Sequence, residues 1–323
     1  MEFFRYKKPI PLMSYSKIFG IISLILVLSS WALIAIKGFN FGVDFAGGSV
    51  IQIKYEKEAP LKEIRKALKK SPKYKSASVT YFGSKNEIII RAQRSSKSVT
   101  NSIENEIREL LKDTGKFTIR KVDMVGPKVG SELREKGIMA TILAIIGILI
   151  YVSIRFEWRF ALASVVALIH DVSIALGAIV LTNLSVTLDT LAAILTILGY
   201  SLNDTIIVFD RIREGIRTTK LTDLKAIIDE SVTKTLSRTT LTSLTTFFVV
   251  FTLYLFGGES IKDFSFPLLV GIIVGTYSSI FVASPILFWL KFDVNEFRRK
   301  EAEKLKRQKE KEKLRAMYEQ GRL

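Results

Sequence analysis

The sequence predicts a polytopic α-helical membrane protein with six transmembrane helices and a ferredoxin-like α+β domain between the first two. Three observations predict it. Six stretches stay apolar over the roughly 17 to 25 residues that a helix needs to cross a bilayer. The 323-residue chain is 48% hydrophobic yet carries a formal charge of +17, so apolar and basic residues must be segregated into separate segments. Between the first two apolar stretches, residues 38–136 show the alternating patterns of a small folded unit.

The first span is residues 18–36, with 1–37 forming the amino-terminal unit. It carries Trp31 near its end, is followed by Lys37 and shows no small-x-small cleavage site, so it reads as a retained span rather than a signal peptide. The domain at 38–136 opens on the glycine-rich stretch FGVDFAGGSV, where Gly47 and Gly48 suit a tight turn into a strand. A phosphate cradle would need a strand before the glycines and a helix after them, so nucleotide binding is rejected. Strands are expected at 50–55, 77–82, 87–92 and 117–122, with helices at 60–70 and 99–113. That β-α-β-β-α-β order is the ferredoxin-like split unit.

The membrane region at 137–290 supplies spans at 138–154, 160–181, 188–209, 239–256 and 264–290, and 291–323 is a basic tail expected as a solvated helix or a disordered segment. Short loops rich in Lys and Arg stay on the cytoplasmic side. Arg5, Lys7, Lys8 and Lys17, then Arg155 and Arg159, then the long connection from Arg211 through Arg213, Arg217, Lys220, Lys225 and Lys234 to Arg238, and the tail from Lys291 all fall on one side. The alternate connections, 182–187 and 257–263, hold Lys262 alone. Both termini are therefore expected in the cytoplasm and the domain outside it.

Composition removes several function classes. The chain has no Cys and a single His, which excludes disulfides, thiol nucleophiles and zinc sites built on several His ligands. Its basic residues flank apolar runs, as expected where an anionic leaflet faces the protein, and the pattern argues against nucleic acid.

The candidate functional residues are ionisable groups inside spans. Asp204 lies within LGYSLNDTIIVFDRIRE, and a charge near a bilayer centre costs at least about 2.5 to 3.5 kcal/mol unless a partner, water or a proton compensates it. Tyr200, Asp204 and Ile207 fall near one helical face, with Asn203 and Gly199 beside it. His170 and Asp171 make a second cluster in the third span; adjacent residues point about 100° apart on a helix, so only one of them can face Asp204. The fifth span opens SRTTLTSLTTFF, where Thr239, Thr242, Ser243 and Thr246 can line a polar interface. Arg238 either pairs with Asp204 or snorkels to the headgroups. A buried carboxyl that meets and leaves an arginine changes its proton occupancy, which is the physical basis of proton coupling. Whether Asp189 joins such a relay stays open.

In this order, FGVDFAGGS, VGPKVGSELREKG, HDV, SLNDTIIVFDRIRE and SRTTLTSLTT resemble the signatures of the SecD/SecF family of protein-export membrane proteins, from the first span through the sixth. The resemblance implies half of a pseudo-twofold exporter-like bundle of the resistance-nodulation-division type, completed by a SecD-like subunit. It further implies association with the SecYEG translocon, with YajC and YidC as additional partners, in the inner membrane. The expected role is to use the proton-motive force, or sodium in its place, to draw unfolded exported chains outward, with no cofactor and no enzymatic reaction. Carried onto this chain, the relay is Asp204 and Arg238, with His170, Asp171, Asn203 and Tyr200 as further candidates. Two other readings stand beside it: a self-sufficient proton-coupled small-molecule exporter, and a scaffold that only stabilises the translocon.

Overall fold

The computed structural model describes residues 8–93 and 100–319. Arg5 and Lys7 of the basic amino terminus, Val99 of the second domain helix and residues 320–323 of the tail lie outside the described residues. Among the described residues, six helical stretches of 24 to 33 residues are long and apolar enough to cross a membrane, the first running Leu12–Lys37 and the last Lys262–Trp289. In chain order the helices are α1 (Ser16–Lys37), the short α2 (Val43–Ala46), α3 (Leu61–Lys69), α4 (Thr100–Leu111), α5 (Pro127–Arg155), α6 (Trp158–Leu181), α7 (Leu188–Thr218), α8 (Leu224–Phe256), α9 (Lys262–Ser278), α10 (Ser284–Trp289) and α11 (Val294–Glu319). The strands are β1 (Asn40–Phe41), β2 (Gly48–Tyr55), β3 (Ser78–Phe82), β4 (Ser84–Gln93), β5 (Phe117–Val125) and β6 (Ser185–Val186).

The domain follows from its periodicities. Ile51, Ile53 and Tyr55 alternate on one face of β2, and Ile88 and Ile90 do so on β4, with Ile51 opposite Ile90 and Ile53 opposite Ile88. Helix spacing places Ile64 and Leu68 of α3, and Ile103, Ile107 and Leu111 of α4, against that face. The antiparallel sheet has the order β3-β4-β2-β5, so the first and third strands of the unit lie side by side in the middle.

The membrane bundle is centred on α6, α7 and α9, whose most apolar windows are 61%, 50% and 61% buried, against 11% to 17% for α1, α5 and α8. Those three outer helices therefore leave broad apolar sides open to lipid or another subunit. Without a hydrophobic drive between helices in lipid, close contact depends on small residues. A Cβ on Gly177 of α6 would stand 2.3 Å from the Ser30 hydroxyl of α1, one on Gly271 of α9 would meet Ile197 at 2.3 Å, and one on Gly275 would stand 3.0 Å from Ser201 Cβ. The last span is interrupted by a π turn at Ser279–Ala283. Pro285 follows it; proline has no N–H to give and its ring crowds the carbonyl four residues back, so the backbone widens there.

Two expectations change. The connection from Arg211 to Arg238 is not a long loop: α7 and α8 continue as a helical hairpin, joined only by residues 219–223. Charge ends a membrane span but not a helix. Here Ile212 and Ile216 face Ile227, Ile228 and Val232 in one core, Arg211–Glu214 and Glu230–Lys234 pair along the surface, and Asp223 caps α8 by accepting from the N–H groups of Lys225 and Ala226. The tail is a helix whose first turns are docked. Val294 and Phe297 are buried, Arg298 donates to the carbonyls of Ile216, Thr219 and Leu221, and Arg217 pairs with Glu301.

The glycine-rich stretch ties domain and bundle together. β1 pairs in parallel with β6, and Asp44 accepts the Leu188 N–H at the start of α7 at 3.0 Å, opposite the positive end of the helix dipole. Gly47 has φ +76°, and a Cβ there would meet the Pro127 backbone at 2.8 Å. At Gly48, with φ +150°, a Cβ would lie 2.1 Å from the Ala92 carbonyl oxygen, inside the β2–β4 pairing.

Gly48→Ala is therefore expected to destabilise the purified chain by about 2 kcal/mol or more, whereas Gly83→Ala, at φ +70° with open space around it, costs about 1 kcal/mol. Denaturant unfolding of the two variants side by side measures the difference. Gly177→Val, which drives a side chain into Ser30, lowers stability by about 1 to 3 kcal/mol in the same assay.

Candidate functional site

Helix periodicity puts Ser201 and Asp204 of α7 three residues apart, both buried, turned toward neighbouring spans. Asp204 is 1% exposed. Its Oδ2 accepts from Ser243 Oγ of α8 at 3.1 Å, and Ser243 in turn accepts from Thr276 Oγ1 of α9 at 2.7 Å. Its Oδ1 has no hydrogen-bond partner among the described residues. A carboxyl so little exposed, with one oxygen bonded and the other without a protein partner, is incompletely compensated among the described residues.

Asp171 of α6 is fully buried and far better held. Its Oδ1 is hydrogen-bonded to His170 Nδ1 at 2.8 Å, while Oδ2 accepts from Ser201 Oγ at 2.5 Å and from Ser278 Oγ at 2.8 Å. These bonds come from three helices, and partners at that density make a buried carboxyl tolerable. Ser201 thus bonds one acid and sits about 4.5 Å of helix rise from the other. The two acids occupy neighbouring levels of one polar layer, with Asp171 nearer the domain end of the bundle.

The remaining candidates divide. Tyr200, one turn from Asp204, has a buried hydroxyl without a partner, and so does Thr239, one turn from Ser243. Asn203 and Gly199 face outward. Asp189 lies exposed in the first turn of α7, away from the layer. Arg238 is exposed on α8, and no ion pair joins it to Asp204 within the described residues. The reason is axial: Asp204 is level with Ser243, and Arg238 stands five residues back, about 7.5 Å along the helix. Thr242 and Thr246 spend their hydroxyls on carbonyls of their own helix. Of His170 and Asp171, it is the acid that turns to α7.

Sequence reasoning missed Ser201, Thr276 and Ser278. The signal for the last two was the run Gly275-Thr276-Tyr277-Ser278-Ser279, hydroxyls beside a glycine in an otherwise apolar span. Small polar residues at that density in lipid mark a contact between helices.

Comparisons with known proteins agree with this architecture. The family model described as "Protein export membrane protein SecD/SecF, C-terminal" matches residues 106–293, and that described as "SecD/SecF GG Motif" matches residues 32–59, which hold Gly47 and Gly48. A protein translocase subunit SecF of Helicobacter pylori (strain J99) is 48% identical over 321 residues, covering 99% of both chains. The SecF subunit of Calditerrivibrio nitroreducens is 45% identical, over 90% of this chain and 97% of that one. Among solved structures, the translocon-associated membrane protein SecDF of Thermus thermophilus superposes with a TM-score of 0.77 at 33% identity. The match covers 88% of this chain but only 39% of the SecDF chain, so this chain spans about two fifths of it. With its glycine stretch, its second to sixth spans and its polar layer falling inside the matched segments, and SecF relatives aligned over nearly its whole length, the chain belongs to the SecD/SecF family of protein-export membrane proteins, on the SecF side.

Proposed function

We propose that the chain is the SecF-type half of an accessory unit of the Sec translocase, in which ion movement through the polar layer drives late steps of protein export. The observation that carries the coupling is Asp204, a carboxyl 1% exposed, held by one serine hydroxyl and with its second oxygen unpaired. A group so placed exchanges a proton only when the packing around it changes, so occupancy and conformation are linked. The proton is the proposed ion, with sodium as the substitute that the same oxygen-rich layer would accept. Transport rather than covalent catalysis is the work proposed for it.

The open sides of α1, α5 and α8 support a partner. Arg238 stands on α8, the same helix that holds Asp204 through Ser243, and an acid of a SecD-type subunit packed on that face would meet it. On this reading the relay is completed between subunits, and the chain alone is not a competent transporter. The strand order β3-β4-β2-β5 supports a ferredoxin-like domain, which we place on the outer side of the inner membrane, with both termini in the cytoplasm. SecYEG is the proposed seat of the unit, and the unfolded exported chain is what it draws outward. The basic α11 would lie toward anionic lipid or toward YajC and YidC.

Asp204→Asn keeps the size of the side chain and one hydrogen-bonding oxygen but removes proton exchange. The variant is expected to assemble with its SecD partner while proton uptake and late-stage export in vesicles fall by about 100-fold or more. Normal export by that variant leaves the scaffold role in its place, and export of a dye by the chain without a partner leaves the self-sufficient exporter. Arg238→Lys keeps the charge and loses the planar fork, so export is reduced rather than abolished.

A further inference from the structure

The geometry points to the His170–Asp171 pair as a proton-loading station on the domain side of Asp204, with the carried proton held on His170 Nε2. This rests on the coupling role proposed above and adds a residue to it.

In the unloaded state of this station Asp171 is ionised, and His170 Nδ1, Ser201 and Ser278 all donate to it. Its bond to His170 Nδ1 therefore fixes a proton on that nitrogen, and the other ring nitrogen is left as the acceptor. His170 is 5% exposed, and its Nε2 has no partner among the described residues. The titratable groups recorded against this pair are few. On α6 there are only the two residues themselves. From α9, Tyr277 stacks on the imidazole with ring centroids 6.1 Å apart, its hydroxyl donating to the Phe19 carbonyl of α1 and hydrogen-bonded to Ser23. From α7 comes the Ser201 hydroxyl, with Tyr200 beside it and Asp204 three residues on as the nearest ionisable groups along that helix. No cation is paired with Asp171 among the described residues, so the neutral imidazole leaves the pair with a charge of −1.

One proton on Nε2 makes that pair imidazolium and carboxylate, net zero. If the Nδ1 proton then passes to Asp171 Oδ1, the ring is neutral again with its hydrogen on Nε2, and the pair is still net zero. Either arrangement holds one proton more than before, and only N–H and O–H bonds are made or broken. In a low-dielectric bundle the difference between −1 and zero is large. It is read directly by α7 and α9, because Asp171 holds Ser201 and Ser278. A purely structural histidine would need only the Nδ1 donor.

That distinction sets the test. Asparagine places its amide where Nδ1 stands and keeps the bond to Asp171, but has nothing at Nε2. The complex of this chain with its SecD-type partner is reconstituted in vesicles carrying a pH-sensitive dye, and proton flux is followed while the pH on the domain side is varied from about 5 to 8. With His170→Asn, the flux is expected to fall about tenfold or more and to lose its dependence on that pH. Wild-type flux with a wild-type pH profile in His170→Asn, alongside an inactive Asp204→Asn, overturns the loading station and leaves the coupling role standing. An active Asp204→Asn overturns the coupling role and this inference with it. Should His170→Asn fail to assemble, the unaltered complex decides. The chain has a single His, so labelling histidine in this chain alone gives one imidazole signal in the nitrogen spectrum. Gain of a proton at Nε2 within that pH range, on a charged or a neutral ring, supports the station, and an Nε2 that stays unprotonated throughout overturns it.

Discussion

The carboxylate of Asp171 is the interaction on which the membrane bundle turns. A carboxyl in lipid is expensive to bury, and this one is tolerated because α6, α7 and α9 each bring a polar group within hydrogen-bonding distance. The glycines make that approach possible. A Cβ on Gly275 would press on Ser201 at 3.0 Å, and one on Gly271 would overlap Ile197, so without them α9 stands off from α7 and Ser201 and Ser278 no longer share one acceptor. Packing of small residues and satisfaction of a buried charge are thus one constraint seen from two sides. The same three helices are the most buried of the bundle.

Asp204, on α7, is treated oppositely. Its direct bond is to Ser243 of α8, a helix whose outer side is open, with Thr276 of α9 behind it, and among the described residues its Oδ1 and the neighbouring hydroxyls of Tyr200 and Thr239 have no partner. Buried polar atoms without partners are rare in folded proteins and are concentrated where something moves or binds. The layer therefore has a firm half, toward α6 and α9, and a loose half, toward α8. A change at the loose half meets a helix anchored at the firm half and has α8 as the element freest to respond.

Helix α7 also carries the connection to the folded domain. Its 31 residues extend about 46 Å, from the Asp44 cap at Leu188, past Ser201 and Asp204, to the carbonyls held by Arg298. The glycine stretch that supplies Asp44 also runs into β2, the central strand of the sheet. A shift of α7 along or about its axis thus acts on the domain through a backbone that Gly47 and Gly48 leave no room to loosen. Coupling of this kind needs no long chain of side chains, only one stiff element with two attachments.

How much of this was legible depends on what carries the signal. Six spans follow from hydropathy because lipid imposes one length scale on every helix, and the domain strands follow from the alternation of residues such as Ile51 and Ile53. Asp204 and Asp171 stood out as charges where none belongs. What stayed hidden was relational. The α7–α8 hairpin beyond the membrane has no hydropathy signal, since its pairing rests on Ile212 and Ile216 meeting Ile227 and Ile228 across a turn. β1 and β6 are too short to have a period. Ser201 and Ser278 are ordinary span serines until the acid they share is placed between them. Arg238 shows the same limit from the other direction: its charge marks it as a partner for an acid, but axial register within one chain puts Ser243, and not Arg238, beside Asp204. A residue type announces which chemistry is available, whereas the stagger between two helices decides who receives it.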